Sequence, residues 1–234
     1  MNWSVRYRES EIDIFYLSYS KGSYNLLPPG YCKVCAYPKP EKDECPWRSS
    51  HPKFLKRIYA IGPYYKTRIL HETGESDTLS RDIYFLKRNA QKAEPLALAM
   101  GVCMEHRYPE LLKYDLLVAV PQHEDELHID EYTGDAFNQV DPLVEWLSKT
   151  SHIPVVTPLI KTRPQSMEKL GWIERKKVTK DLYKCRGKGF TGKNIILIDD
   201  VATTGSNLES CAEELLSKGA GVVMGFVCGK DYVG

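Results

Sequence analysis

The sequence predicts an α/β fold, a doubly wound parallel sheet with an N-terminal cysteine-bearing hood. Three observations carry that expectation. Residues 115–121, 195–198 and 221–228 are nearly uninterrupted apolar runs, as expected of strands buried on both faces of a parallel sheet. The segments between them repeat apolar residues at helical spacing. From residue 95 onward the order is helix, strand, helix, strand, loop, strand, helix, strand. That alternation winds a parallel sheet and leaves ligands at the carboxyl ends of its strands.

At 234 residues the chain can hold one generous α/β domain, or a core domain with a small appendage. Its 32 basic and 31 acidic residues leave a net charge of +1, so no global field argues for nucleic acid or a membrane surface. No apolar run approaches the roughly 18 residues of a membrane span. Met1 to Glu9 lack the apolar core of a signal peptide. Seven cysteines is an odd number, and Cys103, Cys211 and Cys228 fall in apolar periodic segments where they act as small core residues. These features point to a reduced, cytoplasmic protein.

Residues 1–60 read as the hood and 61–234 as the core. A strand is expected at 12–19, rich in β-branched and aromatic residues. Trp3, Tyr7, Phe15, Tyr16 and Tyr19 in this region suit a homodimer surface. The Pro- and Gly-punctuated stretch that follows holds a Cys32-x-x-Cys35 pair, then Cys45 and His51. Such a Cys3His set can hold a structural Zn2+ tetrahedrally. The other reading is three free cysteines in a polar loop, because Arg48 stands where a second CxxC would end. A second strand is expected at 58–65 and helices at 81–92 and 95–107, with Pro95 in the latter's first turn. After the 115–121 strand come a helix at 136–149 on Val140, Leu143, Val144 and Leu147, a short strand at 153–157, and a polar, basic stretch at 160–180.

The stretch 194–207 is the most informative. Ile195 to Ile198 lead into two adjacent carboxylates, Asp199 and Asp200, then a small turn, Ala202-Thr203-Thr204-Gly205-Ser206. A helical pattern follows over 206–218, with Leu208, Cys211, Leu215 and Leu216 on one side. The turn and the first helical turn aim backbone N–H groups at an anion, and the helix dipole favours negative charge there. Two carboxylates at a strand's end can accept hydrogen bonds from vicinal hydroxyls, as on a ribose, or hold Mg2+ through water. The competing reading is an ordinary strand-turn-helix with an Asp-rich turn.

Apolar strand, acidic pair, two spacers and Thr-Thr-Gly together resemble the phosphoribosyl-diphosphate (PRPP) motif of type I phosphoribosyltransferases. The resemblance implies that Asp199 and Asp200 hold the ribose 2- and 3-hydroxyls, and that Ala202, Thr203, Thr204, Gly205, Ser206 and Asn207 wrap the 5-phosphate. Val118-Ala-Val-Pro-Gln-His123, Phe137-Asn-Gln139, Lys161-Thr-Arg163, Leu170, Arg175 and the N-terminal CxxC further resemble the competence protein ComF group. This implies PRPP with Mg2+ as substrate and a small-molecule acceptor (a base, nucleotide or amine). Pro121, Gln122 and His123 would meet the diphosphate through backbone N–H groups of 121–124. Charge neutralisation would come from Lys87, Lys161, Arg163, Lys169, Arg175, Lys176 and Lys177, with Arg175 foremost, a basic loop closing as a lid. For any one of these the other reading is a solvated basic face.

The chain departs from the group in three places. Glu124, Asp125, Glu126, Asp130, Glu131 and Asp135 stand where basic residues are usual; they read as a solvated surface. Met167 replaces an expected glutamine. Thr203 replaces the aspartate base of 6-oxopurine enzymes, and a threonine is no general base near neutral pH. Two functions follow from the resemblance. One is an Mg-dependent phosphoribosyltransferase with an unidentified acceptor. The other is a non-catalytic PRPP or nucleotide sensor, or a DNA-uptake or repair accessory, although balanced charge counts against direct nucleic-acid binding.

Overall fold

In the computed structural model the described residues are 4–6, 16–19, 22–27, 31–37, 45, 48, 51–66, 77–164, 181–187 and 190–231. They open with a three-stranded antiparallel sheet, β1 (Ser4–Arg6), β2 (Tyr16–Tyr19) and β3 (Gly22–Asn25). The end of β3 lies against β4 (Ile58–Tyr64), which begins the central sheet. Only glycine allows this approach: a Cβ on Gly62 would sit 1.9 Å from the Asn25 carbonyl oxygen.

Three further strands complete the central sheet: β5 (Leu116–Ala119), β10 (Ile195–Ala202) and β11 (Val223–Asp231). Two short antiparallel pairs lie outside it, β6 (His128–Ile129) with β7 (Ala136–Phe137) and β8 (Leu159–Lys161) with β9 (Tyr183–Cys185). The central order is β4-β11-β10-β5, with every pairing parallel. One parallel bridge, Leu117 to Val155, extends the sheet beyond the outer side of β5. The chain therefore steps outward from β5 to residue 155, then crosses to β10 on the inner side. That reversal is a topological switch point, and it opens a crevice at the carboxyl ends of β5 and β10.

Helices α1 (Thr78–Leu86), α2 (Ala93–His106) and α3 (Val140–Ser151) cover one face of the sheet, and α4 (Ser206–Ser217) lies on the other. Successive residues of β10 serve the two faces in turn. Ile196 and Ile198 pack with Ile83, Met100 and Val144, while Ile195 and Leu197 pack with Leu208, Cys211 and Leu215. The second face also receives Leu27, Tyr31, Ala36 and Leu55 from the N-terminal segment. Cys103, Cys211 and Cys228 are all buried in these cores. Among the described residues no helix is long and apolar enough to cross a membrane.

Several elements differ from the sequence expectation. The strand expected over 195–198 runs on to Ala202, because β11 keeps pairing with it through Asp199–Val227, Val201–Gly229 and Ala202–Lys230. The acidic pair therefore sits inside a strand. The helix expected from 136 starts at Val140. Asn138 ends β7 by donating to the Val120 carbonyl (3.2 Å) and accepting from the Val140 N–H (3.2 Å). The strand expected at 153–157 is reduced to its single bridge. The 81–92 helix divides into α1, capped by Asp77 accepting from Ser80 N–H at 2.7 Å, and a 3-10 turn at Ala90–Lys92. Trp3, Tyr7, residues 12–15 of the first expected strand and 165–180 of the basic stretch lie outside the described residues.

Candidate functional site

Asp199 and Asp200 are 8% and 6% exposed, two neighbouring carboxylates taken out of water within β10, where its apolar run ends. The Asp200 N–H donates to Asp199 Oδ1 (2.9 Å), and the Val201 N–H donates to Asp200 Oδ1 (2.7 Å). Asp200 Oδ2 accepts from Gln139 Nε2 at 3.3 Å and has Lys87 Nζ at 3.8 Å. Burial first, and the Asp200 charge second, push the Asp199 carboxyl well above the usual carboxylate range, with Lys87 opposing. A ligand that brings hydroxyl donors or a cation relieves that strain.

The turn after the pair is fixed by its own polar groups. Gly205 has φ of +76°, a backbone conformation that favours glycine, and a Cβ there would press on Ile58 Cδ1 at 2.6 Å. Thr204 Oγ1 lies 2.7 Å from Ser206 Oγ and accepts from the Ser206 N–H at 3.2 Å. Asp199, Val201 and residues 202–208 line an open hollow that ends on the N-terminus of α4. Such a helix start attracts anions. Below the turn Lys230 is 4% exposed. Its ammonium donates to the Thr203 carbonyl and, at 3.0 Å, to that of Asp231. Burial pulls the Lys230 pKa down to about 8.

The second wall begins where β5 ends, beside β10, with Val120 N–H donating to Ile198 O at 3.0 Å. Pro121, Gln122 and His123 follow, but the N–H groups expected there for a diphosphate are reduced. Proline has none, and that of His123 donates to Glu126 Oε2 (3.3 Å). His123 Nδ1 accepts from Asp125 N–H (3.2 Å), so the imidazole caps a 3-10 turn, and Gln122 Nε2 lies 3.5 Å from His128 Nε2. Lys161, expected as a mobile cation, has a nearly buried side chain paired with Glu126. Asp130 departs from the solvated-surface expectation. Its carboxylate accepts N–H bonds from Ala90 (2.7 Å), Tyr132 (2.8 Å) and Thr133 (3.1 Å), which hold its pKa below the usual range. Glu124, Asp125, Glu131 and Asp135 are exposed, and so is Arg163. Arg175, with Met167, Lys169, Leu170, Lys176 and Lys177, lies outside the described residues.

Cys32, Cys35, Cys45 and His51 come together in space, their ligand atoms all within 4.8 Å of one another. Cys32 Sγ lies 3.3 Å from His51 Nε2, and the Cys35 and Cys45 sulfurs are 3.7 Å apart. A tetrahedral zinc with bonds of about 2.3 Å sets sulfurs about 3.8 Å apart, so the set fits a metal of that kind. Without one, burial pushes the Cys35 thiol up to about 12. Burial raises Cys32 too, but N–H groups of Cys35 and Val34 outweigh it and leave that thiol below its ordinary value. A metal requires deprotonated thiols and so links binding to pH.

Two residues of these walls carried no assigned role in the sequence reading, Gln139 and Lys230. Lys230 had a signal: it is a cation directly after the apolar run of β11, and a buried lysine needs a partner. Gln139 was visible only as part of Phe-Asn-Gln, and its reach to Asp200 spans 61 positions of chain.

No family profile matches the chain. The competence protein ComFC of Bacillus subtilis (strain 168) is 35% identical over 112 residues, 48% of this chain and 42% of that protein. The match thus spans well under half of ComFC. The DNA utilization protein YhgH of Salmonella typhimurium is 28% identical over 206 residues, 83% of this chain and 87% of that protein. Among solved structures, the purine phosphoribosyltransferase of Pyrococcus horikoshii aligns over 59% of this chain and 82% of its own at 13% identity, with a TM-score of 0.35, too low to carry an argument. By sequence the chain is similar to ComFC and YhgH, and its parallel sheet carries an acidic pair beside the switch point.

Proposed function

We propose that this chain binds PRPP with its Mg2+ and transfers the phosphoribosyl group to a small-molecule acceptor, a base, nucleotide or amine. One observation carries the reading. Buried Asp199 and a turn opening a helix N-terminus line a single hollow at the sheet's switch point, with buried Asp200 next to it on β10. In the transfer, the bond from the anomeric carbon to diphosphate breaks ahead of the bond the acceptor's nitrogen forms to that carbon, and the proton this nitrogen gives up leaves to water. Positive charge develops on the ribose between the two events. Asp199 and Asp200 hold the ribose hydroxyls, and Ala202 to Asn207 wrap the 5-phosphate. Lys87, Arg163 and the basic residues around Arg175 face the departing diphosphate, whose charge Mg2+ shares. Residues 1–60 serve as the hood that selects the acceptor, with zinc in the Cys3His set as a structural ion. The protein works in the cytoplasm, with the N-terminal aromatics as a homodimer surface.

Calorimetric titration with Mg-PRPP, followed by diphosphate-release assays across bases and amines, tests the proposal. Wild type should bind, and the Asp199→Asn/Asp200→Asn variant should not. Equal behaviour of the two would remove it. Because Thr203 offers no base, hypoxanthine and guanine should be poor acceptors, and nucleotide formation from either at salvage-enzyme rates would contradict this.

A second reading has its own observation: Glu126 holds Lys161, and His123's N–H is spent on Glu126. A site whose diphosphate end is closed by internal pairs suits a PRPP or nucleotide sensor that does not turn over. The names of the ComFC and YhgH relatives fit such an accessory to DNA uptake or use. Binding without diphosphate release from any acceptor would favour it.

A further inference from the structure

The Cys3His cluster stands directly behind the phosphate turn; two separate contacts join them, and a third holds the turn itself. Val34, between Cys32 and Cys35, accepts the Ile58 N–H at 2.8 Å, and the Ile58 side chain fills the space under Gly205. Glu209, in the first turn of α4, accepts three consecutive backbone N–H groups just after His51: those of Lys53, Phe54 (3.0 Å) and Leu55 (3.0 Å). Lys230 donates to the Thr203 carbonyl from below. A buried ammonium on a turn carbonyl is not something packing supplies by default, since burying a lysine is costly without partners. Neither Glu209 nor Lys230 belongs to the Cys3His set.

We propose that Glu209 and Lys230 are positioning residues that make the Cys3His segment and the phosphate turn one mechanical unit, so that metal in the cluster and PRPP in the turn each tighten the other. The proposal rests on the PRPP reading for its ligand. Coupling of this kind is reciprocal: whatever zinc adds to PRPP binding, PRPP must add to zinc binding.

The test uses the zinc-loaded full chain. Zinc transfer to a colorimetric chelator is timed with and without saturating Mg-PRPP, and PRPP affinity is measured before and after zinc removal. PRPP should slow zinc loss about fivefold or more, and zinc removal should weaken PRPP by a similar factor. Glu209→Gln and Lys230→Met should load zinc at wild-type stoichiometry yet bring both factors close to one. Lys230→Arg, which keeps a donor for Thr203, should restore part of the coupling; no recovery would reject the role of that bond. Should Lys230→Met fail to fold, the half-buried Glu209→Gln carries the comparison alone. PRPP binding that is indifferent to zinc, or full coupling in Glu209→Gln, overturns the inference and leaves the PRPP reading standing. No PRPP binding by zinc-loaded wild type overturns both.

Discussion

From Asp199 to Leu208 one continuous piece of chain supplies strand end, acidic pair, turn and helix start, whereas the wall facing it is assembled from three distant segments. Lys87 comes from the end of α1, Gln139 from the start of α3, and the His123–Glu126 turn from beyond β5, tied to Lys161 of β8. The polar contacts within the first wall are one or two residues apart, and Lys230 supports its turn from below. The second depends on pairs far apart in the chain, Lys161 with Glu126, and both Gln139 and Lys87 with Asp200, and most of its charges are already matched within the protein. Local construction gives a ready anion cradle. Assembled construction gives a wall whose charge can be redistributed when a ligand arrives.

The largest expected effect comes from Asp199→Asn. The variant keeps the Oδ1 acceptor for the Asp200 N–H but loses the charge that is proposed to grip a ribose hydroxyl. A charge-assisted hydrogen bond is worth about 1.5–3 kcal/mol, so PRPP affinity should fall about 10- to 100-fold by titration. Stability should move the other way. The folded-state pKa of Asp199 lies above its ordinary value of 3.8, so between the two the native state holds more protons than the unfolded one. Stability from this group is therefore present at low pH and lost as pH rises through that window. Asp199→Asn removes the loss and should melt above wild type at neutral pH. Melting curves taken from about pH 4 to 8 check the slope. A wild type that gains on the variant as pH rises would mean that Asp199 is not held at a buried cost.

The same contrast explains what could be read from the chain beforehand. Strand β10, the acidic pair, the turn and α4 are contiguous, so their apolar run, glycine and helical spacing stand side by side in the sequence. The Cys3His set was legible too, through ligand type and spacing, although its closure needed Cys45 and His51 to fold back on the CxxC pair. What escaped was long-range. Nothing local marks Glu126 as the partner of Lys161, and an acidic run looks like solvated surface until Asp130 is seen accepting three N–H groups. The short pairs β6–β7 and β8–β9 escaped for a related reason. Two- and three-residue strands carry too little periodicity to be distinguished from loops.

Glu126→Gln tests whether the assembled wall is held closed by its own charges. Lys161 would lose the carboxylate that now pairs it, and its ammonium would be left to find the nearest anion. PRPP affinity should rise several-fold, up to about tenfold. Stability should drop by about 1–3 kcal/mol, because a largely buried cation is left without its partner. Titration and chemical denaturation of the same preparation read both. Unchanged affinity together with lowered stability would make the pair purely structural and leave Lys161 outside the site.

The smallest effect separates that clasp from the general field of the loop. Asp125 is next in sequence to Glu126, but its side chain is 68% exposed, against 20% for Glu126. Exposed charges are screened over about 8 Å at physiological ionic strength, and exposed pairs contribute little. Asp125→Asn should therefore change PRPP affinity by less than about twofold at 0.15 M salt. An effect equal to that of Glu126→Gln would mean that the loop repels the diphosphate through its summed charge. In that case the effect must shrink as salt is raised, whereas a buried Glu126–Lys161 pair keeps most of its effect. The salt series thus decides which property of the second wall sets its affinity, its net field or one specific contact.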